Sequence, residues 1–180
     1  MNRFLSNSFL LNYLYYQYNE KIILVVNMDF LRLTIIREKK DLSQRQIAKI
    51  LGVSKSTYAR WETMEEIIPL PHLNNFCKYF KVTMDYVLNL SENNDYYLNS
   101  YSSEINKNII GKNIKLIRKK HNLTQKDLAD ILNTSQSTIS AYENGQTLFL
   151  TAFIYTLASK FNLSADKICA RQKNKQYITL

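Results

Sequence analysis

Residues 37–62 and 118–143 are one stretch written twice. Sliding the chain by 81 positions aligns residues 27–88 with 108–169 without a gap, and 11 of the 26 pairs in the shorter window are identical. Among them are Arg37/Arg118, Leu42/Leu123, Gln44/Gln125, Ala48/Ala129, Ser54/Ser135, Thr57/Thr138 and Glu62/Glu143, and Phe80/Phe161 and Asp85/Asp166 match further on. A single register kept that long marks an internal duplication. It constrains the fold strongly, because each copy must form the same structure. The 180 residues then hold two small units rather than one ordinary domain.

Each unit reads as five short helices, so the expected class is all-α. The chain has only 3 Gly and 2 Pro, which argues against a turn-rich β fold. Phe30, Leu33 and Ile36, with Ile110, Ile114 and Ile117 in the second copy, recur at helical spacing. Ser43 with Gln46, and Thr124 with Asp127, are capping boxes that open the second helix. Ile47, Ile50 and Leu51, or Leu128, Ile131 and Leu132, are expected to form its buried face. Gly52 and Asn133 suit the left-handed turn that follows. Ser54 and Ser135 cap the third helix. Phe76, Phe80 and Val82 continue the core, and Thr83 and Ser164 cap a last helix whose positive end Asp85 and Asp166 favour.

The expected organisation is an N-terminal extension over 1–27, unit one over 28–90, a linker over 91–106, unit two over 107–170 and a basic tail over 171–180. The extension has an odd, aromatic- and Asn-rich composition and no counterpart in the second half, so translation is expected to start at Met28. The rival is a genuine N-terminal helix that pairs with a partner. The linker is acidic and rich in Ser and Asn, and as flexible coil its roughly 16 residues would span about 22 Å. Tyr96, Tyr97 and Tyr101 are expected either to lie exposed on it or to dock on a unit.

Net charge is +9, divided as +1 over 1–27, +3 over 28–90, −3 over 91–106 and +8 over 107–180. A basic chain favours a polyanionic partner. Nucleic acid and an anionic membrane surface are both polyanions; the expected partner is nucleic acid and not a membrane. No run of 18 apolar residues is present, so no membrane-spanning helix is expected, and the N-terminus lacks a signal-peptide pattern. Cys77 and Cys169 do not resemble a disulfide framework, which fits a reducing cytoplasm. With His72 and His121 they form no spaced metal set, and no metal or cofactor is expected. The hydroxyls form no nucleophile–base–orienter set, which argues against an enzyme.

The third helix of each unit has two faces. Thr57, Tyr58 and Trp61 are bulky and point inward. Lys55, Ser56, Ala59 and Arg60 fall on the outer face, as do Gln136, Ser137, Ser140 and Ala141. Small residues let such a helix approach a major groove, and Lys, Arg and Gln reach base edges.

The pattern "LSQRQIAKILGVSKSTYARWE" and its partner "LTQKDLADILNTSQSTISAYENG" resemble the lambda-repressor-like, Cro/repressor-type helix-turn-helix family, also named for xenobiotic response elements. The resemblance covers residues 29–90 and 108–169. It implies two tandem five-helix DNA-binding domains. Lys55, Ser56, Ala59 and Arg60, with Gln136, Ser137, Ser140 and Ala141, match base-reading positions. Gln44, Ser54, Thr57, Gln125, Ser135, Thr138 and Asn144 match phosphate contacts. Arg37 with Glu62, and Arg118 with Glu143, match a structural ion pair between the first helix and the end of the third. Copy one departs after Glu62, where Thr63-Met64 replaces the family's Asn-Gly, so that turn is expected to be shaped differently. Lys112, Lys115, Lys119 and Lys120 make copy two the stronger phosphate binder, and Arg171, Lys173 and Lys175 add contacts or form a solvated tail.

The implied function is that of a cytoplasmic, sequence-specific double-stranded DNA-binding regulator, a repressor first, with unlike outer faces reading an asymmetric operator. The alternative is an antitoxin that binds a toxin and regulates its own operon, with residues 1–27 as its wrapping segment. The further partners left open are a second copy of the chain and a protein such as a toxin or an anti-repressor.

Overall fold

Ser43 ends an extended segment and accepts from the Gln46 N–H, while the Gln46 side chain accepts from the Ser43 N–H. Thr124 and Asp127 repeat the arrangement. Two orphan donors are satisfied at each helix start, and the helices begin where the sequence placed them. The structure, a computed structural model, describes residues 13–18, 21–26, 28–95 and 104–171.

Unit one comprises α1 (Leu31–Glu38), α2 (Gln44–Leu51), α3 (Lys55–Glu62), α4 (Leu70–Phe80) and α5 (Met84–Val87). Unit two comprises α6 (Lys107–Lys120), α7 (Gln125–Ile131), α8 (Gln136–Glu143), α9 (Thr151–Phe161) and α10 (Ala165–Ile168). In the register of the duplication α6 starts about a turn and a half earlier than α1, with Asn106 accepting from the N–H groups of Asn108 and Ile109. In unit one Phe30, Leu33, Ile47, Ala48, Tyr58, Trp61 and Phe76 are buried; in unit two Ile114, Leu128, Ala129, Ile139, Tyr142 and Phe153 are. Ile50 does not join the core as expected. It is 42 % exposed, because the buried stripe of α2 runs through Ile47, Ala48 and Leu51 and leaves Ile50 on its flank.

The duplication extends to the backbone where the sequences no longer match. Left-handed residues occur at Asp41, Gly52, Met64, Lys81 and Asn89, and again at Asn122, Asn133, Gly145, Asn162 and Ala170, in one register throughout. The turn after Glu62 was expected to differ from its counterpart. Instead Met64 takes φ 61° where Gly145 takes φ 65°. The Met64 side chain is buried, so packing offsets a conformation that costs a residue with a Cβ about 1–2 kcal/mol.

The two units are all-α, but the chain ahead of them is not. Tyr13–Tyr18 (β1) and Lys21–Val26 (β2) form an antiparallel hairpin with Tyr18 paired to Lys21 and Tyr13 to Val26. The expected alternative of an N-terminal helix fails here, since "YLYYQY" and "KIILVV" are runs of aromatic and β-branched residues that favour strands.

The start of the expected linker is folded back on unit one. Arg32 donates to the carbonyls of Tyr86 and Ser91 and pairs with Glu92 at 2.8 Å. Asn94 accepts from the Thr83 N–H and donates to the Lys81 carbonyl. Tyr96, Tyr97, Tyr101, Lys173 and Lys175 lie outside the described residues.

The units also dock on each other. Asp85 accepts from the Ser164 hydroxyl and from the Ala165 N–H at 2.6 Å. Asp166 accepts from the Asp85 N–H at 3.0 Å and pairs with Arg171. Thr151 donates to the Ile68 carbonyl at 2.6 Å. A cavity of about 330 Å³ lies between residues 67–71 and 148–152. Arg171 was expected in a solvated or phosphate-binding tail. It is 1 % exposed, because its guanidinium neutralises the buried Asp166.

Candidate nucleic-acid interface

Helix α3 is set by its own cap and by an ion pair at its far end. Ser54 accepts from the Thr57 N–H at 3.0 Å and lies 2.8 Å from the hydroxyls of Ser56 and Thr57. Ser135 does the same for α8, with Ser137 and Thr138. These hydroxyls cluster at the positive ends of the two helices, which favours contact with an anion. Ser54 is exposed and Ser135 half-buried, and Thr57 and Thr138 are half-buried beside them.

Lys55, Ser56 and Arg60 are exposed and Ala59 is half-buried, while Tyr58 and Trp61 are buried on the opposite face. On α8, Gln136 and Ser137 are exposed and Ser140 and Ala141 half-buried, with Ile139 and Tyr142 inside. The eight residues assigned to base reading thus lie on two outward faces. Arg60 is not idle there: it pairs with Glu66 at 3.0 Å, a contact the sequence reading missed. Asn144 is exposed at the end of α8, and its side-chain amide donates to the Ser140 hydroxyl at 3.4 Å.

The ion pairs form as expected. Arg37 holds Glu62 through two bonds, at 2.7 and 3.1 Å, and donates a third to the Leu42 carbonyl at 2.8 Å. Arg118 grips Glu143 in the same way and donates to the Leu123 carbonyl at 2.9 Å. Each Arg therefore ties the first helix, the approach to the second and the end of the third. The hydrogen bonds to Glu62 and Glu143 raise the pKa values of Arg37 and Arg118, against the penalty of burial. Burial penalises the Glu62 carboxylate, but the bonds from Arg37 and Gln44 outweigh it and its pKa is lowered.

Gln44 and Gln125 join these pairs, donating to Glu62 at 2.8 Å and to Glu143 at 3.0 Å. A primary amide carries two N–H groups, so one is anchored on the carboxylate and a second remains on the same nitrogen. The anchor fixes where that second donor points. Lys112, Lys115, Lys119 and Lys120 are all exposed along α6.

Comparison with known proteins agrees with this geometry. Residues 33–87 match a family model described as helix-turn-helix, and residues 111–172 match one described as a helix-turn-helix domain. The chain is 43% identical over 65 residues to the antitoxin PezA of Streptococcus pneumoniae, covering 36% of this chain and 41% of that protein. It is 38% identical over 65 residues to the competence pilus inhibition repressor of Acinetobacter baylyi, covering 36% and 59%. It is 31% identical over 64 residues to the uncharacterized HTH-type transcriptional regulator YobD of Bacillus subtilis, covering 36% and 57%. The chain therefore spans about half the length of these relatives. With both halves matched and the same caps, turns and ion pairs built twice, the chain is a tandem of two lambda-repressor-like helix-turn-helix domains.

Proposed function

We propose that the protein is a sequence-specific double-stranded DNA-binding transcriptional regulator, acting first as a repressor by occupying promoter DNA. The observation that carries this is the pair of outward faces on α3 and α8, each held by a capped N-terminus and a buried Arg–Glu pair. In the cytoplasm such a protein needs no cofactor: phosphate contacts from Gln44, Ser54, Thr57, Gln125, Ser135, Thr138 and Asn144 set position and register. Lys55, Ser56, Ala59 and Arg60 then read one half-site, and Gln136, Ser137, Ser140 and Ala141 read another. Lys55 and Arg60 suit guanine acceptors, and Gln136 suits an adenine. Similarity to a relative named as a repressor supports the sign of regulation.

Selection from a random DNA pool, followed by affinity against salt, tests this. Enrichment of a defined site reports reading, whereas a salt slope alone reports charge. Absence of any enriched site would sink the proposal.

The second reading is an antitoxin, favoured by the similarity to PezA. That match is about one unit long, so it supports a shared helix-turn-helix more than a shared toxin surface. A stoichiometric complex with a toxic protein, with no enriched DNA site, would favour this reading over the regulator.

A further inference from the structure

Asp85 lies against Asp166, its own counterpart in the second unit, and residues 67–71 face their counterparts 148–152 across one cavity. In a head-to-tail arrangement each patch would meet a different patch. Two separate regions that each meet their own counterpart define a twofold axis between the units. The surface is self-complementary, like that between identical subunits, yet it joins two halves of one chain. From this we infer that a single chain acts as a built-in dimer whose docked units read two inverted, unlike half-sites at one fixed spacing. The inference rests on the DNA-reading function above and adds the arrangement of the DNA partner.

The contacts explain how the spacing would be held. Asp85 ties the start of α10, and Asp166 ties the start of α5. Thr151 links α9 to the segment before α4. Arg171 neutralises Asp166 within the interface and stands where unit one has Leu90, so the two halves are complementary rather than identical. A second chain would have to displace these bonds to pair in the same way. A twofold relation also runs α3 and α8 in opposite senses, so their half-sites are inverted rather than repeated. A tether alone would leave orientation and spacing free.

The test uses the full chain in two measurements. Spin labels on Lys49→Cys and Asp130→Cys, exposed counterparts on α2 and α7, report the distance between units without DNA; Cys77 and Cys169 are buried and do not compete for label. One narrow distance distribution is expected, broadening in Asp85→Ala with the helical signal retained. A broad distribution in the unaltered chain would overturn the inference. On the selected site, one chain per two half-sites is expected. Inserting about 5 base pairs, half a helical turn, or reversing one half-site should weaken binding about 100-fold or more. Inserting a Gly/Ser segment between residues 95 and 104 should leave that spacing dependence unchanged. Tolerance of the insertion or reversal, or two chains per site, would overturn the inference while leaving DNA reading intact. Failure to select any site would instead strike the regulator itself, with the label distance still deciding whether the units dock.

Discussion

Asp85 and Asp166 stand 81 positions apart, and each accepts a hydrogen bond from the first residues of the other's helix. Asp85 takes the Ala165 N–H at 2.6 Å, and Asp166 takes the Asp85 N–H at 3.0 Å. Two carboxyl groups are thereby brought together in a buried interface, with Arg171 bound to Asp166 as the cation between the units. Burial raises the Asp85 pKa to about 6, and the charge of Asp166 adds to the shift, against the bonds from Ser164 and Ala165.

That shift makes docking sensitive to mild acid. A carboxyl whose folded pKa lies above its unfolded value stabilises most when protonated, so the contribution is full below about pH 4 and lost as pH rises through about 6. Docking should therefore tighten as pH falls from 7 to 5. Asp85→Asn, neutral at every pH, should flatten the dependence of Tm on pH in that range and raise stability at pH 7 by roughly 1–2 kcal/mol. An unchanged slope in Asp85→Asn would remove Asp85 as its source. Glu62 acts in the opposite sense: its pKa is lowered, so its contribution disappears as pH falls below the ordinary carboxylate range.

The ion pairs should behave as stability elements. Glu62→Ala would leave the buried Arg37 with only the exposed Glu38, at 3.3 Å, as a carboxylate partner and release Gln44, and Glu143→Ala would strand Arg118 and release Gln125. Each should cost about 3–5 kcal/mol in urea unfolding. Gln125→Ala keeps the Arg118–Glu143 pair and should cost only about 1 kcal/mol, while weakening binding to every DNA sequence alike. Gln136→Ala should change preference at one or two base pairs with little effect on stability. Equal loss on all sequences for both Gln variants would refute the division into phosphate and base contacts.

What was legible in the sequence was local or repeated. Capping boxes, the left-handed turns at Gly52 and Asn133, and the Arg–Glu pairs depend on short spacings and appear in duplicate. The contacts between units were not legible, because they depend on which surfaces meet. Asp85 and Asp166 read as charges favoured at the positive ends of their own helices, and Arg171 read as tail. A signal was present, since Asp85/Asp166 is an identical acidic pair outside the repeated window 37–62/118–143. The substitution of Leu90 by Arg171 marks where two otherwise equivalent surfaces differ. The helical alternative for the N-terminal extension failed for another reason, with strands at Tyr13–Tyr18 and Lys21–Val26: a segment without a second copy offers no register to check a periodicity against. The turn that Met64 shares with Gly145 was hidden because burial overrode its residue type.

Arg60 starts from a bound state. Its pair with Glu66 is half-exposed, and such surface pairs contribute at most about 1 kcal/mol. Glu66→Gln would free Arg60 and remove a negative charge near the face proposed to read DNA. It should tighten binding to the selected site by about 2–5-fold without changing base preference. Arg60→Ala should instead relax preference at one position, at a cost of roughly 1–3 kcal/mol. Competition binding on single-base variants of the site separates the two effects. A change of preference in Glu66→Gln would show that Glu66 itself takes part in reading.

Gly111 holds α6 against α8, and its counterpart in unit one is Phe30. A Cβ built there would lie 2.3 Å from the Tyr142 carbonyl oxygen, a backbone atom that moves only with its helix. Gly111→Ala gains helix propensity of about 1 kcal/mol but must push the end of α8 outward, at a cost of roughly 1–3 kcal/mol. The net effect should be a modest loss of stability together with a displaced Gln136–Ala141 face. Binding should then weaken at the half-site read by α8, while discrimination at the half-site read by Lys55 and Arg60 stays intact. Selecting DNA with the variant measures both halves in one experiment. Equal loss at the two half-sites would mean that the strain spreads through the docked interface, and unaltered binding would mean that α8 does not read DNA.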